Sequence, residues 1–195
     1  MRRKILMGVF AIALPIGTIA AVQTTAFAGK VTGTGTTTCN FGGTINFNPP
    51  LTQAGTAGVK KEITTVNATF GSCTGGTPVG QATSIAVKPI KTKTPKGQNG
   101  ATCAGFTSNA TSVVVKTKVN WSGEKPSKFN ISGLTVAFNQ SGEAGFTGSF
   151  PVSGSYAGTG NVAVYLTNQS TNDIVNCTAP VSQLTIDSST SSAGI

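Results

Sequence analysis

Residues 113–121 read VVVKTKVNW. In an extended chain Val113, Val115, Thr117, Val119 and Trp121 share one side, and Lys116, Lys118 and Asn120 share the other. Apolar against polar with a period of two is the pattern of a strand that turns one face to a core and the other to water. The same alternation recurs on both sides of this segment. Upstream, Cys39, Phe41, Ile45 and Phe47 take one face of a strand that Pro49-Pro50 is expected to end, because proline supplies no N–H to a ladder. Val66, Ala68 and Phe70 mark a second strand, and Ile85 with Val87 a third. Downstream, Phe129 and Ile131 are odd whereas Leu134, Val136 and Phe138 are even, so a bulge at Ser132-Gly133 is expected to keep both sets inward. Phe146, Phe150, Val152 and Tyr156 lead through the Gly158-Thr159-Gly160 turn into Val162, Val164 and Leu166 as a hairpin. Val175 with Cys177, and Leu184 with Ile186, read as the last extended pieces.

Beyond the N-terminal apolar run, no window carries an apolar stripe at helical spacing. The class is therefore all-β, a single antiparallel β-sandwich or flattened barrel of about 8–10 strands. The sequence divides into residues 1–28 as a signal peptide, 29–38 as a lead-in, 39–187 as a disulfide-stabilised β domain and 188–195 as a flexible tail. The leader rests on Arg2, Arg3 and Lys4, the apolar stretch from Ile5 to Val22, and the Ala26-Phe27-Ala28 cleavage pattern. After cleavage no transmembrane segment is expected, and the location is secreted, extracellular or loosely cell-wall associated.

The chain has 14 Lys and Arg against 5 Asp and Glu, and no His. No Arg follows position 3, so the side chain that forks onto guanine or phosphate is missing and specific nucleic-acid reading is not expected. Without His, Ser-His-Asp and Cys-His catalysis are excluded. Cys39, Cys73, Cys103 and Cys177 form an even set in an exported chain, which reads as two disulfides. They are too far apart for the clustered thiolates of a zinc site. Spacing leaves three connectivities open; the place of Cys39 in the first strand and Cys177 near the last favours Cys39–Cys177 with Cys73–Cys103 nested inside.

The segments CNFGGTINFNPPLT (39–52), Gly71-Ser72-Cys73, the Thr102-Cys103 turn with the strand into Trp121, and Gly145-Phe-Thr-Gly148 with Val152-Ser-Gly-Ser-Tyr156 together resemble a family of uncharacterised small secreted actinobacterial β-rich proteins with four cysteines. The resemblance spans most of residues 36–187. It implies a secreted, disulfide-bonded β domain and brings no catalytic residue with it.

Each remaining motif needs a structural context for its chemistry. Ser122-Gly-Glu-Lys125 has the Ser-x-x-Lys spacing of penicillin-recognising enzymes, but that chemistry places the serine on a helix, and here a strand precedes it and Pro126 follows. Glycoside hydrolysis needs two carboxylates across a cleft; of Glu62, Glu124, Glu143, Asp173 and Asp187, the best pair by sequence is Glu124 with Glu143. No D-x-D run offers a calcium loop, so neither a metal nor any other cofactor is expected. The Asn-x-Ser/Thr triplets at Asn67, Asn109, Asn120, Asn130, Asn139, Asn168 and Asn176 follow from composition. Lys88, Lys91, Lys93 and Lys96 fall within nine residues and are either edge protection or a polyanion patch. Trp121 and Tyr156 continue inward registers. The expected function is a secreted, non-enzymatic extracellular or cell-envelope interaction module, with an anionic cell-wall polymer, a glycan or another surface protein as partner. A secreted hydrolase using paired carboxylates, or a self-associating structural surface protein, is the alternative.

Overall fold

The computed structural model describes residues 30–108 and 113–195. The expected signal peptide, residues 1–28, lies outside the described residues, as does the triplet at Asn109. Over the described residues the fold is all-β with two short helices: β1 Thr34–Leu51, β2 Lys61–Thr77, β3 Ala82–Val87, β4 Ile90–Lys93, α1 Cys103–Ser108, β5 Val115–Trp121, β6 Ser127–Ile131, β7 Thr135–Phe138, β8 Ala144–Ser153, β9 Gly158–Tyr165, α2 Asn168–Asn176, β10 Val181–Ile186 and β11 Ser192–Gly194. Among the described residues no helix is long and apolar enough to cross a membrane.

All 11 strands belong to one antiparallel sheet in the order β3-β5-β6-β8-β9-β11-β1-β2-β4, with β10 beside β1 and β7 beside β8. A sheet this wide accumulates enough right-handed twist to curl. Its two outer strands, β3 and β4, are consecutive in sequence, separated only by Lys88-Pro89. The wall therefore curls until one stretch of chain serves both margins: β3 pairs with β5, and after two residues β4 pairs with β2. Lys88 N–H still donates to the Lys116 carbonyl at 2.9 Å, whereas Pro89 has no N–H to donate, so the partner changes there. Inward residues from all sides meet in one core, among them Phe41, Ile45, Val119, Trp121, Phe150, Val162 and Leu184.

Several local expectations are corrected. β1 runs through Pro49-Pro50 to Leu51, because the pairing with β10 shifts register between Asn46 and Leu51 and so releases the prolines from the ladder. Its first residues, from Thr34, already belong to the sheet rather than to a lead-in. Ser132-Gly133 is not a bulge; it separates β6 from β7, with Gly133 at φ 67°, and Phe138 at the end of β7 is 62% exposed. Residues 188–195 are not a tail. Ser191, Ala193 and Ile195 are buried, β11 fits between β1 and β9, and Ile195 exchanges two backbone hydrogen bonds with Thr37 at 2.7 and 2.8 Å. Small side chains are what that narrow insertion requires. Val175 and Cys177 lie at the end of α2 rather than in a strand: the Thr167 hydroxyl accepts from Ser170 N–H at the start, and Cys177, in the left-handed region, closes the helix onto the Asp173 carbonyl.

The nested disulfide pairing is also overturned. Cys39 bonds Cys73, and Cys103 bonds Cys177. Cys39 and Cys73 stand directly opposite each other in the β1–β2 register, with Cα atoms 4.0 Å apart. Cys103 opens α1 and Cys177 caps α2, so the second bond ties the two helices together.

Candidate functional site

One end of the curled sheet is closed by aromatic packing. Trp121, the last residue of β5, and Tyr156, in the turn between β8 and β9, meet edge to face at 4.8 Å between ring centroids. Trp121 Nε1–H donates to Ser127 Oγ at 2.8 Å, the Ser127 hydroxyl donates to the Ser155 carbonyl, and Tyr156 O–H donates to the Pro78 carbonyl at 2.9 Å. Every polar atom of these two large buried rings thus has a partner, as burial demands. The Tyr156 ring lies directly on the backbone of Gly33 and Gly76, where any Cβ would collide with it. Tyr156 itself is held at φ 54°, a conformation that costs a bulky residue on the order of 1–3 kcal/mol and that the surrounding packing must enforce. Burial, and after it the charge of nearby Glu124, raises the Tyr156 hydroxyl above its ordinary pKa.

Beyond these rings, toward the other end of the sheet, the inward residues line a space that they do not fill, and neither Trp121 nor Tyr156 borders it. Its volume is about 1020 Å³, and its lining is chiefly Phe, Ile, Val and Ala from the strands of the wall. Protein interiors are normally packed like organic crystals, and a sealed void costs about 24 cal/mol per Å³. A closed void of this size would cost on the order of 20 kcal/mol, more than the roughly 5–15 kcal/mol that keeps a domain folded. The space is accordingly an open cavity, of the size that holds small ligands, about 300–1,000 Å³. Within it Thr117 Oγ1 is buried with no hydrogen-bond partner.

The exposed residues bordering the cavity mark its open end. Lys88, Lys91, Lys93 and Lys116 border it there; Lys96, the fourth lysine of the sequence cluster, is exposed but does not. Register decides how they stand. Glu62 pairs with Thr92 and Thr64 with Ile90, on the face that carries Val66 and Ala68 inward, so Lys91 and Lys93 leave β4 on the outer face, opposite Ile63 and Lys61. The lysines stand along one side of the rim rather than in the interior. Glu62 is the one acid that borders the cavity, and its Oε1 accepts from Ala101 N–H and from the Thr94 hydroxyl, which binds the 94–101 loop to β2. Phe106 of α1 wedges between Phe47 and Phe146, at 5.0 and 5.3 Å, and so packs the helix against the rim.

The carboxylates are dispersed. Glu124 is buried beside Val31 and Tyr156 at the closed end, with Oε2 unpartnered. Glu143 lies at the opposite end of β8, about 30 Å away at the rise of an extended strand. The structure therefore separates the pair that sequence favoured. It joins Glu143 instead to Asp187: Asn139 Nδ2 and the Thr190 hydroxyl donate to Glu143, while Ser189 donates to Asp187 through its hydroxyl at 2.6 Å and its N–H at 2.7 Å. Those Ser189 hydrogen bonds, with Glu143 adding to them, hold Asp187 below the ordinary carboxylate range. Neither Glu143 nor Asp187 borders the cavity. Asp173 lies on α2 and accepts from Gln169. Ser122 to Lys125 forms the bend after β5, not a helix. Among the described residues no three His, Cys, Asp or Glu are grouped to hold a metal ion.

Compared with family models, curated proteins and solved structures, the chain matches none. Of the residues at this site, Phe106 is the one that sequence reading passed over; Thr117 was legible as an inward position of β5, Lys116 as a neighbour of the lysine patch and Glu62 only as one of five scattered acids.

Proposed function

We propose that this chain is an exported, non-enzymatic binding module that holds a largely apolar ligand within its curled sheet. The observation that carries this reading is the cavity of about 1020 Å³, walled by apolar side chains and bordered by lysines at the end away from the Trp121–Tyr156 packing. An apolar lining with a few polar groups at its margin is the usual build of a small-molecule site. Two disulfides suit an oxidising compartment, which supports the extracellular or cell-envelope location. Lys88, Lys91 and Lys93, read from sequence as part of either edge protection or a polyanion patch, become on this reading one border of the site. Because Lys61, Lys91 and Lys93 share the outer face of β2 and β4, an anionic wall polymer remains the second candidate partner.

An environment-sensitive apolar dye tests the reading. It should bind saturably, one per chain. Ala68→Phe, which adds a ring at a half-buried cavity position on β2, should weaken that binding at least about tenfold with the circular dichroism unchanged. Saturable binding indifferent to Ala68→Phe, or no binding at all, would remove the cavity as the site.

A further inference from the structure

We infer that the ligand is an acyl chain with a negatively charged head group, its tail inside the sheet and its head among the rim lysines. This rests on the cavity reading above and adds to it the chemistry of the occupant.

The interior determines the tail. Beneath the rim, Ile45, Ala68, Phe129, Phe150 and Val162 surround the space, and Thr117 supplies the single buried hydroxyl without a partner among the described residues. A sugar or other many-hydroxyl ligand would lose its water there and find almost nothing to replace it, which is strongly unfavourable. A hydrocarbon chain loses nothing of the kind and gains from leaving water.

The rim determines the head. Lys88, Lys91, Lys93 and Lys116 border the cavity together with a single acid, Glu62, which lies on the other face from Lys91 and Lys93 and whose carboxylate is already engaged by Ala101 and Thr94. All four lysines are exposed, and Lys91 and Lys93 lie on the outer face of β4. A lysine so placed covers apolar surface with its stem and keeps its ammonium in water. The head therefore remains hydrated at the mouth, and no buried ion pair has to offset the cost of desolvation. Lysine acts as a point charge, with none of the planar fork that makes arginine select geometry, so a carboxylate and a phosphate head fit equally well. The shared feature is one anionic head on one chain end.

Displacement of the bound dye by four twelve-carbon probes tests this: dodecanoate, dodecyl phosphate, dodecanol and dodecyltrimethylammonium. Dodecanoate or dodecyl phosphate, or both, should bind about tenfold tighter than dodecanol at low salt, with the cation weakest. Whichever anion gains identifies the source as a free fatty carboxylate or a phosphate-bearing lipid. The advantage should shrink as salt rises to about 0.5 M, where charges are screened within a few ångströms. Within the fourfold variant Lys88→Gln, Lys91→Gln, Lys93→Gln, Lys116→Gln the anions should bind within about threefold of dodecanol, and an advantage still near tenfold would overturn the lysine contact. Equal affinity for all four probes in the native protein overturns the anionic head while leaving the cavity standing. If none of the four displaces a dye that Ala68→Phe still excludes, the acyl chain is refuted. If the dye does not bind, the parent reading fails with it.

Discussion

Replacing Cys103 and Cys177 together by alanine removes the bond that ties α1 to α2 at the open end of the sheet. The two residues are 74 apart in sequence. In the chain-entropy treatment, closing a loop of that length restricts the unfolded chain by about 15 cal/mol/K, or about 4.4 kcal/mol at 25 °C. The same arithmetic for Cys39–Cys73, 34 residues apart, gives about 3.8 kcal/mol. For a domain of this size the first loss should lower Tm by roughly 9–18 °C. Urea unfolding followed by the fluorescence of Trp121, the one tryptophan, measures it directly. Trp121 lies at the closed end with Tyr156, and the mutated bond at the other, so the native emission of the variant should match that of the parent while its midpoint falls. Both cysteines must change at once, since a single substitution leaves a free thiol that can exchange with the remaining disulfide. A non-reducing peptide map of the parent should yield Cys103 joined to Cys177. A loss below about 1 kcal/mol would refute the loop-closure reasoning. Recovery of Cys39 joined to Cys177 would refute the pairing itself.

Ser127→Ala strands Trp121 Nε1–H and the Ser155 carbonyl in the closed end, and one unsatisfied buried group costs about 1–3 kcal/mol, so the urea midpoint should drop with the slope preserved; an unmoved midpoint would mean that Ser127 does not bridge these groups. Asp187 is held below its ordinary pKa of 3.8 in the folded chain, so between the two values the unfolded chain binds more protons, and the stability it contributes is present above that range and lost as pH falls through the folded pKa. Asp187→Asn should therefore lower stability at neutral pH and flatten its decline in acid, as measured by urea midpoints from pH 6 downward; curves for the two proteins that run parallel in acid would contradict the Ser189 hydrogen bonds as the cause.

Alternation fixes which side of a strand faces inward, and so Trp121, Tyr156, Phe150 and Val119 could be placed in the core from sequence. It carries no information on which strand lies beside which. That is why the curled sheet, the closure through Lys88-Pro89 and the cysteine pairing were not legible: Cys39 meets Cys73 because of a register, and spacing does not encode register. Residues 188–195 misled through composition, since small polar side chains mark a loose end as readily as a strand squeezed between two others. In α2 the helix relies on Thr167 and Cys177 at its ends and on Ile174 against the core, with too few apolar positions to show a period. The cavity is a matter of volume. An inward phenylalanine reads the same in sequence whether it touches another side chain or an open space. Lysine density at 88–96 was visible, but only the β2–β4 register shows that Lys91 and Lys93 stand at a rim and that Lys96 stands apart from it.

The placement of β1 governs the order in which this protein can assemble. One margin of β1 is taken by β2, its neighbour in sequence, while the other waits for β11 and β10. Gln183 hydrogen-bonds Asn46 across 137 residues of chain. Contacts so distant must bear the entropy of loop closure before they return any energy, which puts folding toward the millisecond-to-second range of β proteins rather than the microseconds of helical bundles. Until the late strands arrive, β1 presents a long unsatisfied margin to whatever strand comes near, the situation in which chains pair with strangers. The last strands thus act as chaperones in cis: two short segments, β10 and β11, cover the margin that would otherwise recruit a neighbour.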